Sequence, residues 1–357
     1  MTSQTINHAA ILPGKDLDLI IQEREIPTPG PTDVVVRNHY IPVNPLDWRR
    51  QAWGLYTPHF PLVLGQDVSG EVVKVGSQVT SMKPGDRVVG TANGLSTFDN
   101  DRGAFQEYAL ALDSSVSRIP DKITYAQGAT LGTNVGTAVM VFHDLWGLPR
   151  PSADAAAATS GPATGAGILI WGAASSNGFL LVQYARHLGF KVFATASERS
   201  HAYLRSLGAA AVVDYHSPSA EKELVAAARA AGVEISYAID TVATPDTLPR
   251  VLKVVGASSG DTAKGGKKAR VCSMLPGQEV PDVDEGIDLA YVNGAEIWDR
   301  RRDLGYWKSS QLATWLEEGV LVPGKYRVVE GGLSGLQAAL NELKAGGGPE
   351  KLIVKLI

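Results

Sequence analysis

The chain has 357 residues, of which 44% are hydrophobic and 20% are charged, so it can bury a sizeable core over about two domains. Its formal charge of −4 is mild and evenly spread, which argues against a protein that binds nucleic acid or anionic membranes. The single cysteine, Cys272, excludes an intrachain disulfide and a cysteine-rich zinc site, and no apolar run reaches the length of about 18 residues that spans a membrane.

The first third of the chain predicts β structure. Short runs rich in β-branched residues lie at 34–37, 70–75 and 86–89, and each is closed by Gly, Pro or Asp. Short strands at this spacing favour a small barrel or a sandwich.

From about residue 126 the pattern changes to alternating strands and helices. A helical run at 137–145 is followed by a segment rich in Pro, Gly, Ala and Ser at 149–167, which predicts a surface loop. Predicted strands at 168–171, 191–196, 211–214, 236–240 and 270–274 then alternate with predicted helices at 179–188, 200–207 and 221–231, with a polar loop at 258–269, a helix at 337–344 and a closing strand at 351–357. The strands are almost continuously apolar, which favours a parallel sheet covered by helices on both faces.

The turn after the first of these strands has the composition of a phosphate-binding turn. A dinucleotide pyrophosphate needs small residues there, so that backbone N–H groups at a helix N-terminus reach the anion. Gly172, Ala174 and Gly178 supply small side chains, and Ser175 and Ser176 add hydroxyl donors. The strict G-x-G-x-x-G spacing is absent, so an ordinary Ser/Gly turn between a strand and a helix stays open as the alternative.

The residues after the second strand indicate which dinucleotide binds. A carboxylate at this tip would accept a hydrogen bond from the ribose of NAD and would repel the 2′-phosphate of NADP. The tip carries Ser197 with Arg199 two residues later, which favours NADPH. Glu198 lies between them, and NAD becomes possible if its side chain points inward.

Seven further segments carry a family resemblance. They are Asn44-Pro45-Leu46-Asp47-Trp48, Gly54-Leu55-Tyr56, Pro61-Leu62-Val63-Leu64-Gly65-Gln66-Asp67-Val68-Ser69-Gly70, Lys83-Pro84-Gly85-Asp86-Arg87-Val88, Gly103-Ala104-Phe105-Gln106-Glu107-Tyr108, Thr137-Ala138 and Lys351-Leu352-Ile353-Val354. With these motifs the chain resembles, along nearly its whole length, the zinc-independent medium-chain dehydrogenase/reductases of the quinone and enoyl reductase branch. It is most similar to the fungal trans-acting enoyl reductases that serve polyketide biosynthesis.

The resemblance implies an α/β fold with two domains. A GroES-like, β-rich catalytic domain would comprise residues 1–128 and 306–357, and a Rossmann domain with a doubly wound parallel sheet would comprise residues 129–305. The active site would lie in the cleft between them.

The resemblance also implies which residues bind. The cofactor would contact Asp47, Trp48, Arg49, Ala174, Ser175, Ser176, Asn177, Ser197, Arg199, Ser200, Tyr215, Met274, Leu275 and Lys351. The substrate would contact Thr133, Asn134, Thr137, Met140 and Trp298, although a core role for Trp298 is an equal alternative.

The same comparison argues against a metal site. Zinc-dependent relatives have Cys where this chain has Asn44, and Gly-His-Glu where it has Gly65-Gln66-Asp67. Asn and Gln are poor zinc ligands, and the seven histidines show no metal-binding spacing. Without a Lewis acid, alcohol oxidation is disfavoured, so hydride transfer to an already activated acceptor remains.

Two residues are candidates for the chemistry. Tyr56 matches the Gly-x-Tyr position of zinc-free reductases, where a phenol can act as an acid, with a structural tyrosine as the equal alternative. Asn44 is placed to bind a cofactor or substrate oxygen, with a turn role before Pro45 as the alternative. Asp47 is a candidate to orient Arg49 or a ribose hydroxyl, and a helix N-cap role competes with this interpretation.

We therefore expect an NADPH-dependent reductase of an activated C=C bond, in an enoyl thioester or an enone. The alternatives are a quinone oxidoreductase and, in another class, a catalytically silent NADPH-binding protein. The substrate would be a small molecule or a carrier-bound polyketide, which makes a polyketide synthase a candidate partner. The basic run Arg300-Arg301-Arg302 would meet such a carrier or form a solvated face. Residues 1–10 carry no secretory signal pattern, which favours a cytoplasmic location.

Overall fold

A computed structural model describes residues 6–151, 163, 165–258, 268–275 and 283–357. In this part of the chain the strands are β1 (Ile6–Leu12), β2 (Ile20–Glu25), β3 (Asp33–Pro42), β4 (Leu62–Val63), β5 (Asp67–Val75), β6 (Arg87–Thr91), β7 (Tyr108–Leu112), β8 (Val116–Arg118), β9 (Gly167–Trp171), β10 (Lys191–Thr195), β11 (Ala209–Val213), β12 (Ile235–Asp240), β13 (Ala269–Ser273), β14 (Ile287–Tyr291), β15 (Tyr326–Val329) and β16 (Lys351–Lys355). The helices are α1 (Pro45–Trp53), α2 (Gly94–Thr97), α3 (Tyr125–Gly128), α4 (Gly132–Val139), α5 (Gly178–His187), α6 (His201–Ser206), α7 (Ala220–Ala230), α8 (Thr247–Ser258), α9 (Arg302–Glu317) and α10 (Gly335–Lys344).

The chain divides into two compact units. Unit 1 comprises Met1–Gly136 and Gly294–Ile357, and unit 2 comprises Thr137–Asn293. These divisions follow residues 136 and 293, whereas the sequence placed the domain boundaries after residues 128 and 305.

Unit 2 contains a six-stranded sheet in the order β11-β10-β9-β12-β13-β14. All five of its strand pairings are parallel, as the apolar strands predicted. The order reverses at β9, which is the doubly wound arrangement that opens a ligand crevice outside the carboxyl ends of the central strands. The predicted Rossmann fold is therefore confirmed, and the first strand ends at this crevice with Trp171.

Unit 1 is rich in antiparallel β structure. One sheet has the order β15-β16-β3-β5-β6-β8, with β7 also paired to β3, and a smaller sheet has the order β2-β1-β4. The chain's closing strand, β16, pairs antiparallel with β3 and parallel with β15. This architecture confirms the predicted GroES-like domain.

Most predicted elements of unit 2 lie within two residues of the observed ones, but the run at 137–145 differs. α4 begins at Gly132, and a π-helix at Met140–Leu145 continues it. Most of the predicted loops at 149–167 and 258–269 lie outside the described residues. Sequence reasoning missed β14 because Ile287–Tyr291 is short, contains an aspartate and is mostly half-buried, so it lacks the continuous apolar pattern.

Candidate functional site

The turn between β9 and α5 has the tight geometry that sequence reasoning expected. Gly172 has φ +77°, and a Cβ there would lie 2.4 Å from Cγ2 of Val242. A Cβ on Gly178 would lie 2.5 Å from the Gly172 carbonyl oxygen. Both positions therefore need glycine, and both bring the backbone close to its neighbours.

This turn offers unused hydrogen-bond donors at the N-terminus of α5. Within the described part of the chain, the backbone N–H groups of Ala174, Ser176 and Asn177 have no acceptor. The buried Oδ1 of Asn177 also lacks a hydrogen-bond partner there. A bound pyrophosphate would accept from such N–H groups, so the turn fits a dinucleotide.

Ser175 forms a hydrogen bond within the turn through its hydroxyl group. Its hydroxyl oxygen accepts from the Gly178 N–H at 3.0 Å and lies 2.9 Å from the hydroxyl of Thr241. The Thr241 hydroxyl lies 2.8 Å from the Trp171 carbonyl oxygen, to which it donates. The Ser175 side chain therefore holds the turn's shape, and Ser176 is the serine whose hydroxyl is free for a ligand.

The tip of β10 presents a cation to solvent. Ser197 precedes a short 3-10 helix, Glu198–Ser200, in which Ser200 is buried while Glu198 and Arg199 are exposed. In the described part of the chain, no acid pairs with Arg199. After β11, Tyr215 is 38% exposed, and its carbonyl oxygen accepts a hydrogen bond from Arg250 at 2.9 Å.

The strands β12 and β13 end beside the turn between β9 and α5. Asp240, the last residue of β12, is a site candidate that sequence reasoning did not identify. Asp240 is fully buried at the end of β12, and its carboxylate accepts from the N–H groups of Val242 and Ala243, each at 3.0 Å, and from the hydroxyl of Thr247 at 2.6 Å. Burial raises the pKa of Asp240, and these hydrogen bonds act in the opposite direction. The sequence signal for this role was an acid at a strand end before a Thr-rich turn.

Asp240 thereby orders the segment that holds Val242 against the phosphate turn. Met274 and Leu275 follow β13 and are half-buried, and the Met274 N–H donates to the Asp240 carbonyl oxygen at 3.1 Å.

In unit 1, α1 begins at a buried polar pair. Asn44 is the N-cap, and its N–H donates to Oδ2 of Asp47 at 2.8 Å. Asp47 occupies the third position of the helix, so it caps by reaching back and is not itself the N-cap. Burial raises the pKa of Asp47 to about 6, and its Oδ1 has no hydrogen-bond partner within the described residues.

The Asn44 side chain joins three distant parts of unit 1. Its Nδ2 donates to Oδ2 of Asp67 at 3.0 Å, and its Oδ1 accepts from Nζ of Lys351. Asp67 Oδ1 accepts from the N–H of Thr133 at 2.8 Å and from the Thr133 hydroxyl. The structure thus brings together Asn44, Thr133 and Lys351, which sequence reasoning placed in the site, around Asp67, which it did not.

Lys351 carries a buried ammonium group with spare donors. The residue is 4% exposed, and Asn44 is its side chain's hydrogen-bond acceptor within the described chain. Burial lowers the pKa of Lys351, while Asp67 and Asp47 raise it. Two further N–H bonds of the ammonium group can therefore meet an anionic ligand.

α1 and the turn after it expose an aromatic surface. The rings of Trp48 and Trp53 meet edge to face, with centroids 4.9 Å apart. The Arg49 guanidinium lies 5.5 Å and 6.0 Å from these two ring centroids, and burial lowers its pKa. Arg49 therefore packs on the tryptophans, and Asp47, its proposed orienting partner, bonds to Asn44 instead.

Tyr56 follows this surface with an exposed phenol. It is 50% exposed, has φ +50° and forms no hydrogen bond through its hydroxyl within the described chain. Nη2 of Arg50 donates to its carbonyl oxygen at 3.5 Å.

The predicted substrate residues lie on α4 and its π-helical continuation, and Trp298 lies on a 3-10 helix of unit 1. Thr133 is half-buried, and Asn134, Thr137, Met140 and Trp298 are buried. The Asn134 amide donates to the Thr130 carbonyl oxygen at 3.1 Å. A Cβ on Gly136 would lie 3.3 Å from the Trp298 ring, and Nζ of Lys308 lies 5.9 Å from the centroid of that ring.

Two arginines of the basic run 300–302 pair with acids. Arg300 donates to Glu296 at 2.8 Å, and Arg301 donates to Asp303 at 2.9 Å. Arg302, the third residue of the run, is exposed at the start of α9.

The described residues contain neither a cluster suited to a metal ion nor a helix suited to a membrane. Among them, no group of three or more His, Cys, Asp or Glu side chains is arranged to hold a metal ion. None of their helices is both long and apolar enough to cross a membrane.

Comparisons of the sequence with known proteins give the family. The family profile described as the alcohol dehydrogenase GroES-like domain matches residues 30–121, and the profile described as zinc-binding dehydrogenase matches residues 178–270. Dehydrogenase azaJ of Aspergillus niger is 35% identical over 98% of this chain and 99% of its own length. Trans-enoyl reductase tndF of Aspergillus flavipes is 32% identical over 98% of this chain and 99% of its own length.

Solved structures give the same fold. CurK enoyl reductase matches with a TM-score of 0.76 at 19% identity, over 98% of this chain and 99% of that chain. A mycobacterial protein in complex with NADPH matches with a TM-score of 0.73 at 21% identity, over 98% and 99% of the two chains. The sequence relatives extend over nearly the whole chain, and the two-unit architecture agrees with them. The chain therefore belongs to the medium-chain dehydrogenase/reductase family of oxidoreductases, together with these fungal relatives.

Proposed function

We propose that this protein is an NADPH-dependent reductase of an activated C=C bond, in an enoyl thioester or an enone. The observation that carries the proposal is the glycine-bounded turn of Gly172 to Gly178, with its unused N–H groups at the start of α5. The name of the relative tndF, a trans-enoyl reductase, supports the choice of acceptor.

The binding roles follow from these groups. The N–H groups of Ala174, Ser176 and Asn177 hold the pyrophosphate, and the exposed Arg199 holds the 2′-phosphate. Glu198 is exposed, and within the described residues no hydrogen bond or ion pair fixes its carboxylate toward this place. Bound NADPH supplies a hydride to the β-carbon of the acceptor.

The residues of unit 1 supply proton transfer and orientation. The free phenol of Tyr56 gives a proton to the α-carbon, directly or through water. The Lys351 ammonium group, held by Asn44, binds an anionic oxygen of the cofactor. Thr133 lines the binding site of the acceptor substrate. A carrier-bound polyketide acyl chain is one acceptor of this chemical class.

The first experiment follows NADPH absorbance with a mixture of enoyl thioesters, enones and quinones, beside the same mixture with NADH. Rapid loss of NADPH with little loss of NADH supports the proposal, and dividing the mixture identifies the acceptor. Turnover with quinones alone would replace it with a quinone reductase. Tight NADPH binding without turnover on free or carrier-bound substrates would indicate a silent binding protein.

A further inference from the structure

Asp67 is a buried carboxylate that has no role in the reaction proposed above. It is 1% exposed at the start of β5. Its Oδ2 accepts from the Asn44 amide at 3.0 Å, and its Oδ1 accepts from the Thr133 N–H at 2.8 Å and from the Thr133 hydroxyl. The hydroxyl of Thr91 lies 3.4 Å from the same Oδ1. The hydrogen-bond partners of this carboxylate within the described chain therefore all face it with donor groups.

This arrangement decides which end of the Asn44 amide faces which partner. A carboxylate only accepts hydrogen bonds, so it takes the NH₂ end of the amide. The carbonyl end, Oδ1, is then turned toward Nζ of Lys351, from which it accepts. The position of the Lys351 ammonium group thus depends on Asp67 through Asn44.

Asp67 also fixes what Thr133 can offer a ligand. The Thr133 hydroxyl gives its single proton to Asp67. Its remaining lone pairs can only accept, from the Thr91 hydroxyl at 3.3 Å or from a donor group of a ligand. Without the carboxylate, this hydroxyl would be free to rotate and donate.

We propose that Asp67 is a positioning residue of the reductase site, which orients the Asn44 amide, the Lys351 ammonium group and the Thr133 hydroxyl together. The inference rests on the proposed function, because Asn44, Lys351 and Thr133 have their roles there. In this proposal Asp67 acts only through these side chains, to which its two carboxylate oxygens are already hydrogen-bonded.

The substitution Asp67→Asn tests this role with little change of volume. An amide at this position places an NH₂ group against one of the donors, so the network of three side chains must rearrange. We expect the Kd for NADPH, from a fluorescence titration that needs no acceptor, to rise about 10-fold, and kcat/KM to fall about 10- to 100-fold. The matched control is Asp33→Asn, another buried carboxylate of unit 1, which pairs with Arg102 at 2.7 Å. That control should lower the urea midpoint and leave both quantities unchanged.

A double-mutant cycle with Asn44→Ala separates positioning from a merely structural role. If Asp67 acts through Asn44, adding Asp67→Asn to Asn44→Ala should raise the Kd for NADPH less than twofold further. Effects that multiply, or an Asp67→Asn protein that loses only stability as Asp33→Asn does, would overturn the proposal. If the double variant does not fold, a cycle of Asp67→Asn with Thr133→Val, read out on kcat/KM, measures the coupling of Asp67 to its other partner, Thr133; effects that multiply there would likewise overturn the proposal. Should the wild type reduce no acceptor, the proposed function fails, while the cycle on the Kd for NADPH still decides the role of Asp67.

Discussion

At the scale of single residues, Tyr56 combines a strained backbone with a free functional group. A φ of +50° is uncommon for a bulky residue and costs about 1 kcal/mol or more. Its phenol is nevertheless half exposed and has no hydrogen bond within the described chain. Backbone strain at a residue whose side-chain hydroxyl makes no hydrogen bond is more typical of a residue placed for a ligand than of one placed for stability.

The variant Tyr56→Phe removes the hydroxyl and keeps the ring. If the phenol is the acid, kcat should fall about 100-fold, because a positioned proton donor is lost, and the Kd for NADPH should not change. Tyr40→Phe, a half-buried tyrosine of β3, is the matched control and should leave kcat unchanged. Steady-state kinetics with the identified acceptor give the comparison, and unchanged kcat in Tyr56→Phe would remove its catalytic role.

A second prediction for a single residue concerns Arg199. Reversing its charge with Arg199→Glu should weaken NADPH binding about 10- to 100-fold, since a charge-assisted hydrogen bond to the 2′-phosphate is replaced by repulsion. NADH binding should change little. The control is Arg205→Glu, an equally exposed arginine on α6. Fluorescence titrations of the two dinucleotides check this result, and equal losses for both cofactors would contradict the 2′-phosphate assignment.

Single residues also show what the sequence could and could not predict about the site. The tight glycine turn was predictable because its residues directly follow a strand end, while the cofactor roles of the turn and of Arg199 stay predictions. The roles of Asp67 and Asp240 were not, since each depends on donors that arrive from other elements, such as Thr133 from α4. Lys351 was expected near the cofactor, but its partner Asn44 lies 307 residues away along the chain.

At the scale of elements, the start of α5 depends on two glycines that approach the backbone. We predict that Gly178→Ala weakens NADPH binding about 10-fold or more, because its Cβ would lie 2.5 Å from the Gly172 carbonyl oxygen and would shift the N–H groups of the turn. Gly256→Ala on α8 is the control, since its Cβ would meet no atom within 4 Å. That variant should gain a few tenths of a kcal/mol or more in stability and bind NADPH normally. Equal affinity in both variants would show that the turn does not bind the cofactor.

α9 carries a buried lysine whose titration affects stability. Lys308 is 2% exposed and donates to the Ser115 carbonyl oxygen at 3.1 Å, and burial lowers its pKa from 10.5 to about 8. Between these pH values the folded chain binds fewer protons than the unfolded chain. The contribution of Lys308 to the free energy of unfolding therefore rises with pH across this window and is lost as pH falls to 8.

The variant Lys308→Met should remove this dependence. The Ser115 carbonyl oxygen keeps the N–H of Thr91 at 3.3 Å as a donor, so no acceptor is left unpaired. Relative to the variant, the wild type should gain up to about 3 kcal/mol between pH 7 and pH 10.5. Urea unfolding at several pH values gives the two curves, and parallel curves would contradict the lowered pKa of Lys308.

At the scale of the whole molecule, a strand could be predicted from the sequence where its hydrophobic pattern was clear. Buried parallel strands such as β9 and β10 are almost continuously apolar, so five of the six strands of this sheet could be predicted from the sequence, whereas the mostly half-buried β14 was missed. Unit 1 was harder because β2 is largely polar and exposed, and because β15 has only four residues, none of them fully buried. The division after Gly136 falls inside α4, which continues into the π-helix at Met140, so no loop in the chain marks it.

The pairing of β16 with β3 has a consequence for biosynthesis. Unit 2 is one continuous stretch, so it can fold as soon as the ribosome has released it, whereas the large sheet of unit 1 stays incomplete until residues 351–355 emerge. The same five residues include Lys351, which bonds to Asn44. A nascent or prematurely terminated chain that lacks these residues would therefore have a complete unit 2 but an incomplete large sheet in unit 1, and it would lack the hydrogen bond from Lys351 to Asn44.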